Sequence, residues 1–157
     1  MLRIGVISDT HSLLRPEAKA FLQGCHHIVH AGDICDAETL DALSRIAPVT
    51  AVRGNNDRGA WAEALDETEL IRFDDVFVYV IHDLAQLDID PNAAGVRVVV
   101  SGHTHKPLIE ERAGVLFINP GSAGPRRFRL PISIGELTIA DKSVSARTME
   151  LGVQNAA

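Results

Sequence analysis

The sequence predicts an α/β fold of two packed β-sheets with helices outside, in a single domain spanning residues 1–157. Three observations carry this. The first third alternates short apolar runs with stretches of helical periodicity, which is the pattern of a parallel sheet with crossover helices. From residue 68 onward the apolar runs come mostly in pairs around turn dipeptides, the pattern of hairpins. A chain of 157 residues with 46% hydrophobic and 23% charged side chains supports one sizeable core and is short for two.

Each element follows from its residues. "LRIGVIS" (2–8) is an apolar run ending at Asp9, consistent with a buried strand. Residues 15–23 read as a helix, with Pro16 near its start and Gly24 just past its end. "HHIVHAGD" (26–33) is a second strand running into a loop. Asp36 is placed to cap a helix over 37–46, in which Ala37, Leu40, Leu43 and Ile46 recur at helical spacing. "VTAVRGNND" (49–57) is a third strand ending in a Gly-Asn loop. "TELIRF" and "VFVYVIH" flank Asp74-Asp75, and "LIEER" and "VLFINP" flank Ala113-Gly114. "ISIGELTIA" and "SVSARTMEL" flank Asp141-Lys142, and "RVVVSGH" (97–103) is a strand by itself. The second half is therefore expected to be mostly antiparallel, with "GVQNAA" (152–157) a frayed tail.

Composition narrows the partners. The net charge of −6 disfavours nucleic acid or an anionic membrane as the general partner, while leaving room for a local positive pocket. Cys25 and Cys35 make no disulfide framework and suit a reducing compartment as free thiols. The opening apolar run is short for a signal peptide, and no stretch approaches a membrane span. A cytoplasmic, unanchored protein is expected.

The strand ends hold the chemistry. Asp9 and His11 follow the first strand, Asp33 the second, Asn55 the third, His82 follows "VFVYVI", and His103 and His105 follow "RVVVS". Ligand sites in α/β sheets form just beyond the carboxyl ends of strands. Two Asp, four His and one Asn supply the nitrogen and oxygen donors that suit divalent first-row metals. Singly, each has a plainer reading: a capping Asp, a turn, a hydrogen-bonded core imidazole. Jointly, seven such side chains arriving from five strands are hard to obtain by chance.

The set D9-x-H11, G32-D33, G54-N55-x-D57, His82 and G102-H103-x-H105, with "NPGS" at 119–122, resembles the calcineurin-like metallophosphoesterase superfamily, closest to its small single-domain prokaryotic phosphodiesterase branch. The resemblance covers residues 2 to about 150. It implies a four-layer αββα sandwich of two mixed sheets flanked by helices. It further implies two divalent ions per chain, manganese foremost, with iron, zinc or nickel as alternatives. By motif position Asp9, His11 and His105 would hold one ion, Asn55, His82 and His103 the other, and Asp33 would bridge them. The implied reaction is hydrolysis of a small phosphate ester, a diester foremost, through a bridging hydroxide attacking phosphorus in line. Asp33, Asn55, His103 and Asp57 are the residues expected to serve catalysis. The alternative is a non-catalytic scaffold, since the superfamily includes a trafficking-complex subunit that keeps the fold. A dinucleotide-binding fold is excluded, because the first strand ends in "SDTH" rather than a G-x-G-x-x-G loop.

Two departures stand out. Asn56 occupies the place where many members carry a His held to assist the leaving group, and an amide cannot supply that proton. "IHDL" stands where close relatives often read His-Gly-His, so Asp83 and Leu84 replace the residues after His82. Asn56, Arg126 and Arg127 are the candidate substrate contacts, with a solvated loop or subunit contact as the plainer role for Arg126, Arg127 and Arg129. Asp57 either orients a neighbouring imidazole or orders its own turn. His30 reads as a strand residue, His26 and His27 as surface, Cys35 as a thiol remote from the ligands, and Trp61 as packing. A homo-oligomer remains open.

Overall fold

The computed structural model of this chain describes residues 1–152. The segment read as a frayed tail therefore lies outside the described residues except for Gly152. Two five-stranded sheets pack face to face. The first has the order β10-β9-β1-β2-β3, from β1 (Leu2–Ile7), β2 (His27–His30), β3 (Val49–Ala51), β9 (Ser133–Ala140) and β10 (Ser143–Glu150). The second has the order β4-β5-β6-β8-β7, from β4 (Thr68–Phe73), β5 (Val76–Ile81), β6 (Val98–Val100), β7 (Leu108–Arg112) and β8 (Val115–Asn119).

Strand alternation builds the core. Ile4 and Val6 of β1 face inward against Val76, Val78 and Val80 of β5 and Val98 and Val100 of β6, all fully or almost fully buried. Ile7 and Ile28 point the other way, under α1 (Pro16–Leu22) and α2 (Ala37–Ser44), where they meet Ala18, Leu22 and Leu43. Asp36 caps α2 as expected, accepting from the Thr39 amide at 2.9 Å.

All three expected hairpins form: β4–β5, β7–β8 and β9–β10 are antiparallel. The second half is nevertheless less antiparallel than its sequence suggests, because β6 runs parallel to both β5 and β8. Residues 82–97 cross over before β6 begins, and the hairpin partner β7 sits at the sheet edge, which brings β8 in beside β6. The outer layer on this side is thin. A 3-10 turn (Leu84–Gln86) and the following loop, through Leu84, Ile89 and Val96, cover Ile81, Val99 and Val115.

The topology sets the site. β1, β2 and β3 are mutually parallel, as are β5 and β6, so the loops carrying Asp9, Asp33, Asn55, His82 and His103 all leave from carboxyl ends. Backbone bonds then tie those loops together: Asp9 N–H to Gly32 O at 3.0 Å, His11 N–H to Asp33 O at 3.0 Å, and Gly102 N–H to His82 O at 2.9 Å.

Candidate metal centre

The backbone is strained where the expected ligands sit. Eleven described residues other than glycine have positive φ, and five are Asp9 (55°), His11 (45°), Asp33 (58°), His103 (70°) and His105 (64°). Such conformations cost on the order of 1 kcal/mol or more each and persist where the surroundings over-determine them. Glycine is required at two points of contact between loops. A Cβ on Gly54 would lie 2.3 Å from Asp33 N and Oδ1, and one on Gly102 would lie 2.1 Å from Ser8 Oγ and 2.7 Å from Asp9 Oδ2.

The seven expected ligands come together in two groups. In the first, Asp9 Oδ1 lies 3.4 Å from His105 Nε2 and 3.9 Å from His11 Nε2. Asp9 Oδ1, His11 Nε2 and His105 Nδ1 are buried and have no hydrogen-bond partner among the described residues. In a finished interior such atoms are paired, so these fit a cation. In the second group Asn55 Oδ1 lies 3.0 Å from His82 Nε2 and 3.2 Å from His103 Nδ1, and Asp33 Oδ2 lies 3.4 Å from His82 Nε2. His82 Nδ1 lies 2.7 Å from the carbonyl of Ala31, which can only accept, so Nδ1 carries the proton. The Nε2 lone pair of neutral His82 then faces two oxygen lone pairs. Only a proton or a metal ion reconciles them. Asp33 Oδ2 also lies 3.7 Å from His11 Nε2, so this one carboxylate faces both groups.

A shell of side chains fixes the ligands. Asp9 Oδ2 accepts from Ser8 Oγ at 2.6 Å and from the His103 amide at 3.0 Å, which turns Oδ1 toward the histidines. Asn119 of "NPGS" donates to Gly102 O and Thr104 Oγ1, and Ser122 Oγ donates to Asp9 O, so this stretch braces the loops of Asp9 and His103. Asp57 does not reach an imidazole. Its carboxylate accepts from the amides of Asp33, Ile34, Cys35 and Gly54 at 2.8–3.0 Å, so it orders its own turn and the Asp33 loop together. In this structure it is placed to position the Asp33 loop. Asn56 likewise points inward: its amide N–H donates to Asp33 Oδ1 and its Nδ2 to Asp33 Oδ2, both at 2.9 Å. Cys35 is closer to the ligands than expected, with Sγ 3.6 Å from His11 Nδ1. Burial, reinforced by the carboxylates of Asp57, Asp33, Asp36 and Asp9, pushes its thiol up to about 11, so it stays protonated.

His30, read from sequence as a strand residue, is a buried strut. Nδ1 accepts from the Gly32 amide at 3.1 Å, so Nε2 carries the proton and donates to Thr10 Oγ1 at 3.0 Å, joining the Asp9 and Asp33 loops from below. Burial lowers its pKa from 6.5 to about 4, so the fold prefers it neutral. The unfolded chain then binds a proton that the folded chain refuses between pH 6.5 and about 4. His30 therefore subtracts up to about 3 kcal/mol as pH falls through that window. His82 opposes it: burial lowers its pKa, but the Asp33 hydrogen bond and the nearby carboxylates carry it above its usual value. Burial raises Asp9 and Asp33, yet their hydrogen bonds to histidine, serine and Asn56 leave both below the ordinary carboxylate range. Their stabilisation is lost only as pH drops below about 4. Urea unfolding of chelator-treated protein is expected to show weakening from pH 6.5 downward that His30→Gln removes. A pH profile identical in the variant would refute this role.

Comparison with known proteins places the arrangement. A family model, the calcineurin-like phosphoesterase superfamily domain, matches residues 2–142. The chain belongs to the calcineurin-like phosphoesterase superfamily. It is 38% identical over 153 residues to a probable metallophosphoesterase of Methanocaldococcus jannaschii, covering 88% of this chain and 77% of the relative. Among solved structures, one described as a novel archaeal phosphodiesterase superposes with a TM-score of 0.77 at 25% identity, covering 94% of this chain and all of that one. Wild-type Vps29 of Entamoeba histolytica in complex with zinc superposes with a TM-score of 0.73 at 27% identity, over 95% and 99% of the two chains.

The arginine loop is solvated, the plainer of its two expected roles. Arg126 and Arg127 are exposed on the loop after "NPGS", beside an 89% exposed Phe128, and neither lines the cleft at the candidate centre. That cleft was not anticipated from sequence. It has a volume of about 600 Å³, is walled at one end by Asn55, His82 and His103, and takes Arg53 and Asp83 among its other lining residues. The signal was present in "IHDL", where an acid directly follows a candidate ligand histidine. No helix among the described residues is long and apolar enough to cross a membrane.

Proposed function

We propose that this member of the superfamily is a phosphodiesterase working through two divalent metal ions, manganese foremost, in the cytoplasm, on a small phosphate-ester substrate. Family membership makes the chain a metal-dependent phosphoesterase. The observation that supports the finer reading most is the convergence of lone pairs at Asp33 Oδ2, Asn55 Oδ1 and His82 Nε2, beside a second set of unpaired buried atoms on Asp9, His11 and His105. Asp9, His11 and His105 would hold one ion, Asn55, His82 and His103 the second, and Asp33 would serve both.

When bound, two such ions supply a water nucleophile at neutral pH and neutralise charge that develops on the phosphoryl oxygens. The protein's part is to keep donors aimed and charge positive. Four neutral imidazoles and one amide ligate without cancelling the metal charge, so an anionic phosphate is attracted. The carbonyl of Ala31 fixes the tautomer of His82, and Cys35 Sγ faces the corresponding nitrogen of His11. The Asn56 carboxamide is engaged with Asp33 and donates no acidic proton, so the reading favours esters with a stable leaving alkoxide or phenolate. Chelator-treated protein is expected to be inert toward bis(p-nitrophenyl) phosphate and to gain steady turnover on addition of Mn²⁺. Stoichiometric metal binding without hydrolysis would instead favour the scaffold reading.

A further inference from the structure

The cleft leading from the candidate centre carries charge opposite to that expected of a site for a polyanion. Its inner wall is Asn55, His82 and His103, so a group esterified to a phosphate held there can extend along it. Arg53 is the only Lys or Arg among its lining residues, and its guanidinium is paired with Glu67 at 3.2 Å. Asp83 stands at the inner end. Its Oδ1 accepts from the Ala85 amide at 3.1 Å, capping the 3-10 turn, and its Oδ2 faces His103 Nε2 at 3.9 Å. The carboxylate is thus fixed and aimed along the wall. Asp88, farther out, lines the cleft as a second carboxylate. A contiguous depression shares Arg53, Glu67 and Asp88 and adds Glu63 and Asp66. Beside it, burial and the like charge of Asp66 push the Glu69 carboxyl up, a sign of the negative field in this region.

We propose that this cleft receives the alcohol half of a phosphodiester whose alcohol carries a single positive charge, such as an ammonium group, and that Asp83 is the residue that sets this preference. The inference rests on the phosphodiesterase reading. The phosphate of such a substrate sits against the ligand wall, its cationic arm lies beside Asp83 and Asp88, and a second anionic group in the same place meets repulsion from both. A carboxylate a few ångströms from a ligand charge in a half-open cleft shifts affinity by about tenfold per unit of charge.

The test uses three p-nitrophenyl phosphodiesters that share one leaving group. The second alcohols are choline, its uncharged isostere 3,3-dimethylbutanol, and 3-hydroxypropionate. In each, water adds to phosphorus and the bond to p-nitrophenolate breaks, so only the cleft occupant differs. With saturating Mn²⁺, kcat/KM is expected to fall about tenfold from the choline ester to the neutral ester, and about tenfold again to the carboxylate ester. Asp83→Asn is expected to compress each step to about threefold, as is raising the salt concentration. The monoester products, phosphocholine and its two counterparts, are titrated in parallel by calorimetry and are expected to bind in the same order. Equal rates and affinities across the series, or steps that stay about tenfold in Asp83→Asn, would overturn the inference. If no ester is cleaved, the phosphodiesterase reading fails by itself, and the calorimetric ranking alone decides the character of the cleft.

Discussion

Asp33→Asn is expected to lower kcat/KM by about a thousandfold or more, with the fold retained. Asp33 Oδ2 faces both groups of donors, His82 Nε2 at 3.4 Å and His11 Nε2 at 3.7 Å, and Asp9 is the other carboxylate within reach of both. The substitution keeps the size of the side chain but removes its negative charge and half of its acceptor capacity. The Asn56 amide can still donate to the remaining oxygen, so the loop keeps one of its two ties. Activity on an aryl phosphodiester, with a thermal unfolding curve for the same sample, separates loss of chemistry from loss of structure. Near-normal turnover at low metal concentration would show that Asp33 does not serve both ions.

Asp57→Ala is expected to be the most destabilising change at the site, by about 3–5 kcal/mol. Its buried carboxylate accepts four backbone amides from two loops, and truncation leaves all four donors unpaired. At about 2–4 °C per kcal/mol for a chain of this size, the midpoint should fall by roughly 10 °C. Asp57→Asn, which retains one acceptor oxygen, should lose about half as much. Urea unfolding provides the measurement, and a loss under 1 kcal/mol for Asp57→Ala would mean that the Asp33 loop is ordered by other contacts.

The ligand candidates were legible because Asp, His and Asn gather at the ends of five apolar runs, and His11, His82, His103 and His105 set these ends apart from turns such as those at Asp74 and Asp141. The hairpins were legible because Asp74, Ala113 and Asp141 mark left-handed turns between paired strands. The direction of β6 was not. "VVV" buries both of its faces, so it reads the same whether its neighbours run parallel or antiparallel. The contacts of Asn56, Asp57 and Cys35 were also hidden, because all but that of Asp57 with the Gly54 amide are made with residues more than twenty positions away. Asn56 and Asp57 were placed by their motif, yet motif position does not say whether a polar side chain faces substrate or a backbone amide. Arg126 and Arg127 show the converse: suitable chemistry for phosphate, carried on exposed side chains that do not line the cleft.

The proposed dinuclear centre is tested most directly by counting metal. Protein stripped with chelator and titrated with Mn²⁺ by calorimetry, with the final content checked by elemental analysis, is expected to bind two ions per chain. His105→Ala and His82→Ala are each expected to lose one ion, and the losses should be of different ions, because the two residues lie in separate donor groups. A wild-type stoichiometry of one or less under saturating Mn²⁺, or loss of the same single ion in both variants, would contradict it.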